Sequence, residues 1–568
     1  MEKEQLAQAI SGPTLSRRDF LVASSALAGA SMLSTGSSFA AGPGKLAHSS
    51  KGMVTSPHSL ASEAGLEVLK RGGTAAEALI AVGSTLAVTY PHFTGLGGDA
   101  FWVLSDKNGV VNTISGIGQA AMKYPDYKGS IPVRGPGSML TTAATVDTWD
   151  RAFNYSKQRW GGKQSWESLF RRAVEYAEKG FPVTPSQRFW QEFRAKDLGG
   201  WQGFASSYML NGKIPEVGQT LRQPNLARSM EMLARDGARS FYDGRLAQRI
   251  AAGLKQMGSP LTADDLARTA SREAPPLHVD YRDGVLLGLP PPTQGITTLE
   301  IMGILNRFKL SDFPEGSADY YHALVEAVKR AFIDRNRYIA DPEFVDVPTN
   351  MLLSAGNLDK WAKSIDMKKA MPWPYQYQQG DTVYLGAVDQ YGNCASVLQT
   401  VYYDWGSGVV AGDTGILWHN RGASFKLDPK EPNCLQPGKR PFHTLNPGMY
   451  MKNGKPSILY GTQGADGQPQ TLSCVLTRLI DYNLDPLTAL AKPRFLLGKT
   501  FSDSNDSLKL EQDAGADVFR ELAARGHQLA PIEAQSQLAG HPGAIRIGAD
   551  GRLSGAHDPR SDGIALGL

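Results

Sequence analysis

From Gly52 to Tyr90 the apolar positions recur at helical spacing, with Leu60, Ala64 and Val68 on one face. Gly72-Gly73 reads as the left-handed stop that commonly ends a helix. Thr74 and Glu77 have the spacing of a capping box, and they open an apolar helix that ends before Pro91. Beyond Thr94-Gly-Leu-Gly-Gly-Asp99 the stretch Ala100 to Leu104 is strand-like. Residues 140–180 and 220–270 read as amphipathic helices. Ala318 to Tyr338 predicts a long helix, acidic early and basic late as the helix dipole favours. Met371 to Gly380, rich in Pro, Tyr and Gln, reads as an irregular polar tether. After Asp381 the period becomes two: Thr382 to Val388 predicts a strand, Asp389 to Asn393 a turn, and Cys394 to Thr400 a second strand. Helices early and strands late predict an α+β protein, helices layered on antiparallel sheets.

The N-terminal pattern is different in kind. Ser16-Arg17-Arg18-Asp19-Phe20-Leu21 precedes a mild apolar run to Leu33, and Ser38-Phe39-Ala40 has the small residues a signal peptidase requires. The arginine pair reads as a twin-arginine export signal over residues 1–40. So short a run cannot cross roughly 30 Å of hydrocarbon at about 1.5 Å per residue. A periplasmic protein with no membrane attachment after export is the expectation.

Composition narrows the chemistry. The chain has 568 residues, which by length alone suggests about three or four domains. A net charge of +4 is too small to mark a nucleic-acid surface. Three cysteines, Cys394, Cys434 and Cys474, cannot all pair with one another. No H-E-x-x-H, paired C-x-x-C, P-loop or G-x-S-x-G motif is present, so neither a metal nor a nucleotide is expected. Among ten histidines, only His419 and His443 fall in glycine-rich stretches that suggest a site. The 61 glycines are about 11%, against the ~7% usual in globular proteins. Either tight turns or close backbone approaches account for them.

One segment has the layout of an activated nucleophile. A polar tether runs into Thr382, which begins a strand that opens a hairpin. If the chain is cut before Thr382, its hydroxyl becomes the attacking group and its new α-amino group the base. An α-amino group has a pKa near ~7.7–8.0, suited to proton transfer at working pH. An ordinary strand threonine fits the same spacing, and the wider sequence separates the two. From Gly52 to Leu568 the chain resembles the γ-glutamyltransferase family. The resemblance is carried by Arg71-Gly-Gly-Thr-Ala-Ala-Glu-Ala78, Pro91-His-Phe-Thr-Gly-Leu-Gly-Gly-Asp99 and Pro290-Pro-Pro-Thr-Gln-Gly295. Asp381-Thr382, Asn420-Arg-Gly-Ala-Ser-Phe425, Lys439-Arg-Pro-Phe-His-Thr444 and Asp558-Pro-Arg560 continue it in order.

The resemblance implies a four-layer αββα sandwich of N-terminal-nucleophile (Ntn) hydrolases, made as a proenzyme. It implies self-cleavage between Asp381 and Thr382 into a large subunit, 41–381, and a small subunit, 382–568, that stay together as one globule. Thr382 would be the nucleophile, Thr400 its supporting hydroxyl, and Gly464 with Ala465 the oxyanion hole. A backbone donor aimed at developing charge is worth ~3 kcal/mol. No cofactor is implied; the partners are a small amide such as glutathione, and water or an acceptor amine. Two positions depart from the family. Ser424 stands where an Asp would hold a substrate ammonium, and Gln119 lies near the place of a carboxylate-binding arginine. His443-Thr444 replaces a serine pair. Arg421 offers a carboxylate clamp from another direction. The reaction implied is cleavage of a γ-glutamyl or similar amide, with a cephalosporin-acylase-like or oxamate-like amidohydrolase as the alternative. The glycines at 95, 97, 98, 116, 118, 406, 408, 422, 461 and 464 are expected around one pocket, near the acyl substrate.

Overall fold

The first two helices form where their end signals put them. Ser59–Lys70 buries Ala61, Ala64 and Val68, and Gly72 follows it at φ +77. Thr74 Oγ1 accepts from the Glu77 N–H, and Glu77 Oε2 accepts from the Thr74 N–H. The helix they open, Ala75–Thr89, is buried along its whole length, so the Glu77 carboxylate needs every donor it can find. The Gln164 N–H supplies another, at 3.0 Å from Oε1. The long helix spans Ala318–Tyr338. This computed structural model describes residues 44–373, 381–498 and 506–568; the export signal and most of the tether lie outside the described residues.

Two antiparallel seven-stranded sheets make the centre. One runs, edge to edge, Ile564–Gly567, Met53–Ser56, Asp381–Val388, Cys394–Tyr402, Asp99–Ser105, Val111–Gly116 and Arg272–Ala274. The other runs Ala47–Ser49, Leu553–His557, Pro542–Ile547, Lys455–Thr462, Gly448–Lys452, Gly284–Gly288 and Leu277–Tyr281. Side-chain alternation assigns the layers. Val383, Leu385 and Ala387 enter a core with the helices of residues 59–89, while Tyr384 and Val388 pack between the sheets with Met449, Leu459 and Ile545. The outer face of the second sheet, through Leu286, Tyr450 and Ile458, meets the helices Ala318–Tyr338 and Gln468–Ile480. Helix, sheet, sheet, helix is the αββα order.

Two expectations change. Three strands of one sheet and four of the other precede Thr382, so strands are not concentrated late in the chain. Of the early strands the local pattern marks only Asp99–Ser105; the others are segments of three to six residues, several at sheet edges, which local pattern does not set apart. Ala41–Leu568 forms one compact unit, not three or four, because both sheets draw strands from both halves.

Candidate active site

The site begins at a fault in the sheet. Asp381 pairs with Tyr402 and Val383 with Gln399, so Thr400 and Val401 together oppose Thr382. Such a bulge bends a strand and re-aims side chains. Tyr402, at its end, takes φ +80, a strained value for a residue with a Cβ. Its N–H donates to Thr400 Oγ1 at 2.7 Å. Thr382 and Thr400 are both fully buried.

Thr382 Oγ1 accepts a 3.1 Å hydrogen bond from Gln468 Nε2. Gln468 is the first residue of the Gln468–Ile480 helix, which Pro469 helps to start. Immediately before it, Gly464 has φ +126 and Ala465 φ +44, in a short turn leading into the helix. The helix therefore directs its N-terminal, partly positive end toward Thr382. Gln294 fixes this turn from outside: its Nε2 donates to Ala465 O at 2.6 Å and to Thr444 O at 2.8 Å. Arg335 bonds Gln294 Oε1 and ion-pairs with Asp466 at 3.1 Å.

On the other side lies Arg421, with no exposed surface. Its guanidinium sits 3.5 Å from the centre of the Tyr402 ring, and Nη2 donates to Thr444 Oγ1 at 3.2 Å. Among the described residues its Nε and Nη1 have no hydrogen-bond partner and no carboxylate forms an ion pair with it. Burial pushes its pKa down, with the surrounding tyrosines and Asp99 acting in the opposite sense. Stacking on a ring offsets only part of the cost of burying a charge.

Asp99 anchors the floor. Burial works to raise its pKa, but His419, His443 and the Gly118 N–H more than offset this and hold it below the usual range. His443 is neutral, its pKa pushed down to about 3 by burial and Arg421. It donates Nε2–H to Asp99 Oδ2 at 3.2 Å and accepts at Nδ1 from the Leu445 N–H. His419 donates Nε2–H to Thr142 O at 2.8 Å.

The anticipated residues thus fall into two groups. Thr382, Thr400, Gly464, Ala465, Arg421, His443 and Thr444 form one connected set. Ser424 Oγ turns to Phe442 O at 3.4 Å, and the Gln119 amide is engaged by Asp265 O and Thr142 Oγ1. Gln468, Gln294 and Tyr402 join the site without having been anticipated; the one local hint was Pro469, a helix-start signal. Some of the expected glycines approach protein backbone, since a Cβ on Gly98 would lie 2.0 Å from Thr400 O and one on Gly118 1.4 Å from Thr142 O, while others meet side chains, as Gly461 meets the Tyr384 ring. The three cysteines are buried and unpaired.

Elsewhere, His322, Glu326 and His527 gather possible metal ligands among the described residues. Glu326 is already engaged by Lys329, Arg330 and the Met371 N–H, which leaves a surplus of positive charge there.

A family model described as Gamma-glutamyltranspeptidase matches residues 61–568. The oxamate amidohydrolase proenzyme of Klebsiella pneumoniae is 42% identical over 91% of this chain and 99% of its own length. The glutathione hydrolase proenzyme of Escherichia coli is 31% identical, covering 90% of each. The crystal structure of cephalosporin acylase from Bacillus halodurans superposes with a TM-score of 0.84 at 31% identity, over 92% of this chain and 97% of that one.

Proposed function

The chain belongs to the gamma-glutamyltranspeptidase family, and we propose that it is a self-cleaving amidohydrolase whose acyl substrate carries a carboxylate next to the scissile amide. The observation that carries this is Arg421, a buried cation with two unpartnered nitrogen atoms and no acidic partner among the described residues. A bidentate carboxylate is the chemistry that guanidinium geometry matches. Arg421 stacks on Tyr402, and Tyr402 pairs with Asp381, the residue before Thr382, which links the proposed anion site to the nucleophile. A γ-glutamyl substrate also carries an ammonium group. At the position where the family uses an Asp for it, the neutral Ser424 gives its hydroxyl to Phe442 O. An oxamate-type acyl group needs no such partner, in line with the substrate named for the Klebsiella relative.

In this reading Thr382 Oγ first attacks the carbonyl carbon of Asp381. The C–N bond breaks, leaving an ester and a free α-amino group, and water releases the Asp381 carboxylate. The same hydroxyl then attacks the substrate amide, passing its proton to the α-amino group, which hands it to the leaving nitrogen. Backbone N–H groups of Gly464 and Ala465 at the helix start stabilise the oxyanion. Thr382, Arg421 and His443 are all buried in the uncut chain, so substrate access follows cleavage. Export by the twin-arginine signal before or after cleavage belongs to the same proposal, checked by cell fractionation and N-terminal sequencing.

The test is ammonia or amine release from purified two-chain protein with oxamate, succinamate, a γ-glutamyl anilide and a glutaryl amide. Turnover of the short monoamides above the γ-glutamyl anilide is expected. Preference for the γ-glutamyl anilide would return the protein to the glutathione hydrolase reading.

A further inference from the structure

Gln468 has one half of its amide in use and the other half idle. Nε2 donates to Thr382 Oγ1 at 3.1 Å, whereas Oε1 has no hydrogen-bond partner among the described residues, although Gln468 is fully buried. A buried acceptor left unsatisfied is costly, and native structures rarely keep one without a reason. The backbone leaves Gln468 little freedom to relieve it, since it begins a 13-residue helix and Pro469 follows it.

We propose that Gln468 is a positioning residue for the N-terminal nucleophile, and that its idle Oε1 is the acceptor for the α-amino group created when the Asp381–Thr382 bond breaks. This rests on the reading of Thr382 as an N-terminal nucleophile. Before cleavage the Thr382 nitrogen is a peptide N–H with one proton. After cleavage it is an amine with two or three, and these need acceptors in a buried site. The amine and hydroxyl of a threonine are neighbours, and so are the two ends of a carboxamide. One side chain then holds both groups, with Nε2–H on the hydroxyl oxygen and Oε1 on the amine. With one lone pair engaged by Nε2–H, the hydroxyl keeps its own proton free to point toward the amine that must accept it. The idle acceptor of the proenzyme becomes an engaged one in the mature enzyme.

The other charged and titratable groups near the pair are the same in every variant tested. They are Tyr384 on its own strand, Tyr402 at the end of the adjacent strand with Tyr403 just beyond it, Arg421 over Tyr402, and Asp466 paired to Arg335; Asp99 with its two histidines lies behind Arg421. Changes at 468 therefore report on Gln468 itself.

The first experiment is a crystal structure of the cleaved wild-type protein. Oε1 within hydrogen-bonding distance of the Thr382 nitrogen is expected, and a separation beyond about 3.5 Å overturns the proposal. The second is the pH profile of kcat/KM, whose acid limb follows the α-amino group. Gln468→Met removes the acceptor and is expected to move that limb to lower pH by about 0.5–1 unit. Gln468→Glu places a carboxylate against the amine and is expected to move it to higher pH. Shifts in opposite directions support positioning; unchanged limbs, or shifts in the same direction, refute it. A wild-type chain that never cleaves defeats the nucleophile reading itself, whereas a cleaved chain without the Oε1 contact defeats only this inference.

Discussion

Replacing Arg421 by Met separates stability from function in a way the structure lets one estimate. Methionine fills much of the same volume and removes the charge. Lost are the stacking on Tyr402, about 2 kcal/mol when desolvated, and the hydrogen bond to Thr444, about 1.5–3 kcal/mol. Gained is relief from burying a cation that has no ion-pair partner among the described residues, a penalty of several kcal/mol even after relaxation. The terms nearly cancel, so unfolding stability is expected to stay within about 2 kcal/mol of wild type. Binding is another matter. Removing one member of a buried, hydrogen-bonded charge pair costs about 2–5 kcal/mol, which is roughly 30- to 5,000-fold in kcat/KM. The assay pairs chemical denaturation with ammonia release from a carboxylate-bearing amide and from a neutral amide of equal length. A selective loss on the first substrate is expected. Equal losses on both, or a fall in stability beyond about 3 kcal/mol, would mean that Arg421 is a structural residue and that the carboxylate argument is wrong.

Thr382→Ala leaves a single chain on denaturing electrophoresis, where wild type gives two; a cut variant would show that another group performs the cleavage. Gly118→Ala forces a Cβ to 1.4 Å from Thr142 O and is expected to cost about 3 kcal/mol or more. Gly356→Ala, exposed in a helix with open space around it, should instead add about 0.5–1 kcal/mol, both read from denaturant midpoints. His541 is buried with neither ring nitrogen bonded among the described residues, and burial lowers its pKa to about 4. Because the unfolded chain binds this proton more readily, stability is lost as pH falls from about 6.5 to about 4, by roughly 3 kcal/mol. His541→Leu should remove about that share of the acid loss, the other buried histidines such as His58 keeping theirs, and an unchanged slope would assign the loss to other groups.

What the sequence by itself determined was local or carried by resemblance. The capping box at Thr74 and Glu77, the stop at Gly72 and the long helix from Ala318 arise from contacts within a few residues, so their signals lie within a few residues. The run of motifs through Asp381-Thr382 marked the family and the strand on which Thr382 lies. The tertiary structure decided what surrounds that threonine. Gln468 reaches it across 86 positions, and Gln294 joins Thr444 to Ala465 across 150 and 171. The sequence offers Arg421 as a carboxylate clamp, but a solvated loop arginine fits the same residues. Only the bulge at Thr382, the positive φ of Tyr402 and the packing of the loop show it to be buried without an acidic partner among the described residues. Such facts are absent from local sequence because burial and pairing are properties of residues distant along the chain. They come into being when the two sheets close on each other.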